Sequence, residues 1–139
     1  MAQGFGVGLD LVEIDRLEQA IARRGERLLR RVFTDPERAY CAQRKRPGQH
    51  LAARFAAKEA GFKALGTGWG AGVGWRDIEV LNQPSGRPLL VLRGKAAEIA
   101  AARGWSQAEV SLTHGGNYAG AVVILMGAPA VPFGAAPSL

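Results

Sequence analysis

The chain is short of cysteine, histidine, aromatic residues and acids, and each shortage narrows what it can be. Its single cysteine, Cys41, has no partner for an internal disulfide, and nothing else points to an oxidising compartment. The two histidines, His50 and His114, have no Ser/Asp or Cys arrangement around them that would make a nucleophilic triad. Aromatic residues make up only 7%, with no stacking or helix-turn-helix pattern, which argues against a nucleic-acid-binding domain. No window reaches the roughly 18 apolar residues that a bilayer span needs. Met1–Asp10 lacks the basic start and long apolar run of a signal peptide, so the expected setting is cytoplasmic, with no membrane contact. Acids number 12 against 18 lysines and arginines, a formal charge of +6 with a pI of about 10.2, and that excess favours an anionic partner.

What is present fits one globular domain. The 139 residues are 47% hydrophobic and 22% charged. Residues 1–127 are read as the domain and 128–139, rich in Ala, Pro and Gly, as a loose tail. A core of this size leaves little room to enclose a large ligand, so a site at a subunit boundary is to be considered.

Phe5-Gly-Val-Gly-Leu-Asp10 alternates as a strand, with one face filled by Phe5, Val7 and Leu9 and the other nearly bare and ending in a carboxylate. Asp15 is the expected N-cap of a helix to about Arg24, with Gly25 an interruption before Leu28–Val32. Thr34-Asp-Pro-Glu37 signals a helix start, and Gln49–Leu65 the longest helix, stopped by Gly66-Thr-Gly68. Arg44–Gly48 and Trp69–Trp75 read as loops. Strands are expected at Asp77–Leu81 and Pro88–Leu92, joined through Pro84-Ser-Gly86, and a helix at Lys95–Arg103. Glu109–His114 and Tyr118–Met126 make a hairpin around Gly115-Gly-Asn117. Hairpins rather than regular βαβ units indicate an α+β fold with a mostly antiparallel sheet.

The long helix carries the most chemistry. Leu51, Phe55, Phe62 and Leu65 form its apolar stripe, Lys58 lies within that arc, Glu59 borders it, and Lys63 neighbours Glu59 at i,i+4. Spacing alone leaves two readings: charges lining a cleft, or a snorkelling lysine with one surface pair. Asp10 follows Gly6 and Gly8 on the bare face, where the missing side chains admit either a ligand or a packed helix. Together Asp10 and Glu59 offer two hard oxygen ligands, suited to Mg²⁺ on substrate phosphates and not to zinc. His114 is either a phosphate donor or structural. Arg16, Arg23, Arg27 and Arg30 line up on one stripe if the first helix continues past Gly25, a ridge fit for an acidic surface or simply a solvated face.

These segments resemble a known family. Gly6-Val-Gly-Leu-Asp-Leu-Val-Glu13 with Arg16, Phe33-Thr-Asp-Pro-Glu37, Arg54-Phe-Ala-Ala-Lys-Glu-Ala60 with Lys63-Ala-Leu-Gly66-Thr-Gly68, Gly86-Arg-Pro88 and Ser111-Leu-Thr-His114 are similar to bacterial holo-acyl-carrier-protein synthase, the small class of 4′-phosphopantetheinyl transferases. The resemblance implies transfer of the phosphopantetheine arm of coenzyme A to a serine of an acidic acyl carrier protein. It implies that Asp10 and Glu59 bind Mg²⁺ and that Lys63 neutralises the attacked phosphate. Arg54, Lys58, Gly66 and His114 would contact coenzyme A, and Arg16, with Arg23 and Arg27, the carrier. It also implies a homotrimer with sites between subunits, His114 completing a neighbour's site. Glu59, or a water near it, is the candidate base. The chain departs from the family's usual Ser, Thr or Asp after His114, having Gly115 and Gly116 instead. The competing readings are the basic nucleic-acid-binding domain and a catalytically silent interaction module, against which the joint presence of Asp10, Glu59 and Lys63 argues.

Overall fold

A glycine-faced strand laid directly on a long, alanine-rich helix organises the molecule. The computed structural model describes residues 4–68 and 71–127; Trp69 in the expected loop and the expected tail lie outside the described residues. The elements run β1 (Phe5–Glu13), α1 (Ile14–Arg24), α2 (Glu26–Val32), α3 (Asp35–Ala42), α4 (Pro47–Leu65), a 3-10 turn (Trp75–Asp77), β2 (Ile78–Asn82), β3 (Pro88–Leu92), α5 (Gly94–Ala102), β4 (Gln107–Gly115) and β5 (Tyr118–Met126). Two antiparallel sheets form, one ordered β1-β5-β4 and one of β2 with β3, so the α+β architecture with antiparallel pairing holds.

The packing of β1 sets a helix against its bare face, one of the two readings of the glycines. Phe5, Val7, Leu9 and Leu11 point outward, with Phe5 68% and Leu9 67% exposed, while Gly6 and Gly8 are buried against α4. A Cβ on Gly8 would sit 1.8 Å from the Ala60 carbonyl oxygen and one on Gly6 2.2 Å from that of Ala64. The helix backbone therefore occupies the volume that side chains would take. Burying helix and strand here is worth more than filling the other face, because α4 reaches core on nearly every side through Ala52, Ala53, Ala56, Ala57, Ala60 and Ala64. An apolar stripe is thus the wrong picture of α4. Among the described residues no helix is long and apolar enough to cross a membrane.

Two further expectations change. The N-terminus of α1 is not capped by Asp15: Glu13 holds the cap position with no side-chain bond. Asn117, in the β4–β5 turn, serves instead, its side-chain oxygen accepting from the Asp15 N–H (3.1 Å) and its backbone carbonyl from the Ile14 N–H (2.7 Å). The Asn117 amide also donates to the Asp15 carboxylate at 2.7 Å. The other expectation to change is the arginine ridge, because Gly25, with a φ of +61°, interrupts the helix where an interruption was expected. The continuous arginine ridge is therefore divided between α1 and α2. By contrast the Thr34 cap and its reciprocal bond with Glu37 form as read.

Candidate active site

Between Leu51 and Leu65, only Phe55, Glu59 and Lys63 escape burial on α4. They recur every fourth residue, so they stack as one ridge along a helix otherwise enclosed. Phe55, expected in the core stripe, instead stands on this ridge and stacks on Trp75 with ring centroids 5.0 Å apart. Across from the ridge, β1 presents Asp10, whose side chain is 19% exposed. Lys63 Nζ lies 3.2 Å from Asp10 Oδ1 and donates to the Leu9 carbonyl at 2.9 Å. Asp10, Glu59 and Phe55 line a cleft of about 450 Å³ with Arg16, Leu17 and Tyr118.

The electrostatics of the cleft are unbalanced. Partial burial pushes the Glu59 pKa above its ordinary value, the Asp10 charge pushes it further, and Lys63 offsets only part of this. The carboxylates of the cleft, Asp10, Glu13 and Glu59, outnumber its cations, Arg16 and the Lys63 that pairs with Asp10. That excess of hard oxygen donors fits a divalent cation such as Mg²⁺, and two carboxylates leave coordination positions for phosphate oxygens and water. Among the described residues no group of three or more His, Cys, Asp or Glu is placed to hold a metal ion.

The other residues read from the sequence go elsewhere. Lys58 is fully buried, with its ammonium 2.8 Å from Glu37 Oε1 and donating to the carbonyls of Ile78 (2.6 Å) and Trp75 (3.1 Å). An ammonium has three donors, and these three acceptors use them. The expected contact of Lys58 with coenzyme A is therefore corrected: no donor is left and no surface is open to a phosphate. Gly66 ends α4 in the left-handed conformation, φ +77°, with its N–H on the Lys63 and Phe62 carbonyls. Arg103 donates to the neighbouring Leu65 carbonyl.

A second, basic cluster gathers at the start of α4. Arg54 is 1% exposed, donates from Nη2 to Asn82 and lies 4.3 Å over the Tyr40 ring, while its buried Nε has no hydrogen-bond partner. Arg44 lies over the same ring at 4.1 Å. His50 meets Tyr40 and His114 edge-on, and burial, then Arg54, Arg44 and His114, hold its pKa below the usual imidazole value. Gln49 Nε2 and His114 Nε2 are 3.1 Å apart. His114 shares the α4-facing side of the sheet with Asp10 but stands two strands away, in register with Ala119 and Val12, so within one chain it does not reach the cleft. Sequence patterns gave no reason to select His50 or Arg44; their signal is purely spatial. Arg23 and Arg27, with Arg24 and Arg31, border a separate depression of about 480 Å³ at the α1–α2 corner.

The largest cleft, about 570 Å³, lies between α2, α3 and the start of α4 and carries little chemistry. Its walls include Leu29, Ala39 and Leu51, its Glu26–Arg38 pair is already formed at 2.6 Å, and burial pushes the Cys41 thiol to about 11. Size is a poorer guide here than the grouping of Asp10, Glu59 and Lys63.

With that geometry in view, the chain belongs to the 4′-phosphopantetheinyl transferase superfamily, whose model matches residues 6–123. More narrowly, it is 52% identical over 122 residues to the holo-[acyl-carrier-protein] synthase of Syntrophus aciditrophicus, covering 88% of this chain and 95% of the relative. The enzyme of the same name from Koribacter versatilis is 48% identical over 87% of this chain and 97% of its own. The structure is similar to the Helicobacter pylori holo-[acyl-carrier-protein] synthase in complex with coenzyme A, with a TM-score of 0.75 and 29% identity, covering 86% of this chain and 98% of that one.

Proposed function

We propose that this enzyme transfers 4′-phosphopantetheine from coenzyme A to a serine of an apo-acyl carrier protein, releasing adenosine 3′,5′-bisphosphate. The observation that carries the reading is the ridge of Glu59 and Lys63 facing Asp10 across an open cleft. Asp10 and Glu59 are the residues to hold Mg²⁺, which when bound supplies a counter-charge to the coenzyme A pyrophosphate. Lys63, whose ammonium lies 3.2 Å from Asp10 Oδ1 and is 55% exposed, would offset the charge on the phosphate under attack. The serine oxygen bonds to the phosphorus that bears the pantetheine arm, and the bond from that phosphorus to the adenosine 5′-phosphate oxygen breaks. The serine proton passes to Glu59 or a water beside it, a role that the upward-shifted Glu59 suits. Charge placed in advance and orientation of the two substrates supply the rate.

The basic cluster supports coenzyme A contacts by Arg54 and His114, joined by Arg44 and His50, since a buried Nε without a partner beside three more cationic or ionisable groups suits a phosphate. Gly66 belongs to the same binding reading at the end of the ridge helix. Arg16, inside the cleft, and Arg23 and Arg27, at the α1–α2 corner, present two positive surfaces to an acidic carrier. A homotrimer with sites between subunits is part of this reading. The open apolar face of Phe5, Val7, Leu9 and Leu11 is a surface that association would bury, and on this reading His114, two strands from Asp10, would complete a neighbour's site. Residues 1–127 form the working unit, consistent with one continuous core, and the lone, buried Cys41 suits a cytoplasmic setting.

Intact mass spectrometry of an apo-acyl carrier protein incubated with this protein, coenzyme A and Mg²⁺ tests the reading. A gain of one phosphopantetheine arm, lost with chelator, is the expected result. No gain across several carriers would return the silent module and, with salt-sensitive DNA binding, the nucleic-acid domain.

A further inference from the structure

Lys58 and Glu59 are neighbours in sequence, yet one is sealed in the core and the other opens on the cleft. Successive residues on a helix point about 100° apart. Whatever fixes Lys58 therefore fixes the direction of Glu59 and of the ridge that contains it. The anchor is unusually complete. Glu37 accepts Lys58 at 2.8 Å, takes the Thr34 N–H at 2.9 Å on the same oxygen, and takes the Val80 N–H at 2.8 Å on the other. Thr34 in turn donates to Glu79 at 2.7 Å, and Arg93 holds Glu79 from the solvent side at 2.8 Å. One ammonium thus ties α4 to α3, to β2 and to the 3-10 turn. Trp75, whose carbonyl is one of its acceptors, also packs on Phe55 and Phe62.

Elsewhere α4 is held mainly by apolar packing: glycine against alanine on β1, and Leu51, Phe62 and Leu65 in the core. The Lys58 network adds directional bonds, which fix the rotation of the helix more sharply than apolar contact does. We propose that Lys58 is a positioning residue for the transfer reaction, pinned by Glu37 so that α4 holds Glu59 and Lys63 toward Asp10. Lys58 touches neither substrate nor metal. The inference rests on the assignment of Asp10, Glu59 and Lys63 to the reacting centre, and it departs from the phosphate contact that the family resemblance implies for Lys58.

Three measurements test it. In the wild-type protein, lysine-directed acylation read by mass spectrometry should modify Lys63, with protection by coenzyme A, and leave Lys58 unmodified with or without coenzyme A. Labelling of Lys58 in the folded free protein, suppressed by coenzyme A, would overturn the proposal without any variant being made. Next, Lys58→Met should lower kcat about 100-fold, the scale of a small misplacement of reacting groups, with KM for coenzyme A changed less than about threefold. It should also weaken Mn²⁺ binding measured without substrate, because the two carboxylates no longer converge. A raised KM with unchanged kcat would instead assign Lys58 to phosphate binding and overturn the proposal.

The double variant Lys58→Met, Glu37→Gln separates positioning from stability. It removes the buried charge that Lys58→Met leaves unpaired and keeps an amide oxygen to accept a backbone N–H, so its Tm should recover relative to Lys58→Met while kcat stays low. Recovery of kcat along with Tm would reduce Lys58 to a structural part. Glu59→Gln is the control for the underlying site. If that variant keeps full transfer, the reaction-centre assignment fails; if it is inactive while Lys58→Met is normal, only the positioning role fails.

Discussion

Lys58 and Lys63 sit five residues apart on one helix and both approach a carboxylate, yet their surroundings are opposite. Lys58 and Glu37 are wholly buried, and every ammonium donor has an acceptor. Burial lowers the Lys58 pKa, and Glu37 works to restore it. Lys63 is 55% exposed, and its partner Asp10 also crowds Glu59. A pair closed on all sides can hold a structure but cannot exchange partners. A pair left open and short of cations can. The proposed function rests on the incomplete pair.

The sharpest break of that comparison is chemical. Glu59→Gln should reduce transfer by about 10³-fold or more, the scale of removing a charge-placing group from a reaction centre, while moving stability by no more than about 0.5 kcal/mol. Carrier mass shift and urea unfolding measure the two sides; retained activity would remove Glu59 from the mechanism. On the closed pair the balance inverts. Glu37→Ala strands a buried ammonium and should cost about 3–5 kcal/mol of stability, visible as a lowered urea midpoint. A loss under about 1 kcal/mol would mean that Lys58 finds water or another acceptor.

The two pairs also differ in how readily the sequence reveals them. Glu59, Lys63 and Asp10 were legible because a charged i,i+4 pair and a carboxylate after two glycines are local patterns. The status of Lys58 was not, since its acceptors come from three segments between Thr34 and Ile78 that no local pattern joins. What covers the two faces of β1 stayed open for a related reason. Alternation shows that Phe5, Val7 and Leu9 share a side, but not that α4, with alanines at 60 and 64, fits the glycines so closely that the apolar side is turned outward. The α1 cap failed likewise: Asp15 looked sufficient locally, whereas Asn117 supplies the bond from across the fold. Turn signals fared better, as the Thr34–Glu37 box and Gly66 stop depend only on near neighbours.

The outward face of β1 gives a smaller test. Leu9→Glu places a charge on a surface 67% exposed in the single chain, so it should leave folding nearly unchanged. If that face is buried between subunits, analytical ultracentrifugation should show the variant shifted toward monomer, with transfer lost in parallel. An unchanged assembly would place any interface elsewhere. Arg16→Glu should then weaken carrier binding by about tenfold, within the range of a docking charge, and leave coenzyme A affinity alone. Equal losses for both ligands would place Arg16 with the phosphates instead.

The smallest effect bears on the open pair itself. Glu59 holds its proton more tightly in the folded protein than an ordinary carboxyl does, through burial and then Asp10. A raised native pKa means that the folded state binds more protons across the window between the ordinary carboxylate pKa and the shifted one. Stability must therefore fall as pH rises through that window. Because Glu59 is only partly buried and lines a cleft open to solvent, the cost is screened to a few tenths of a kcal/mol. Glu59→Gln should match the wild type at low pH, where both side chains are neutral, and become slightly more stable above the window. Urea titrations from about pH 4 to pH 7 would show the two curves diverging, and added Mg²⁺ should close the gap by supplying the missing positive charge. A stability difference constant across pH would mean that burial and Asp10 together do not raise the Glu59 pKa above what Lys63 offsets, and with it the case for a site short of positive charge would fall.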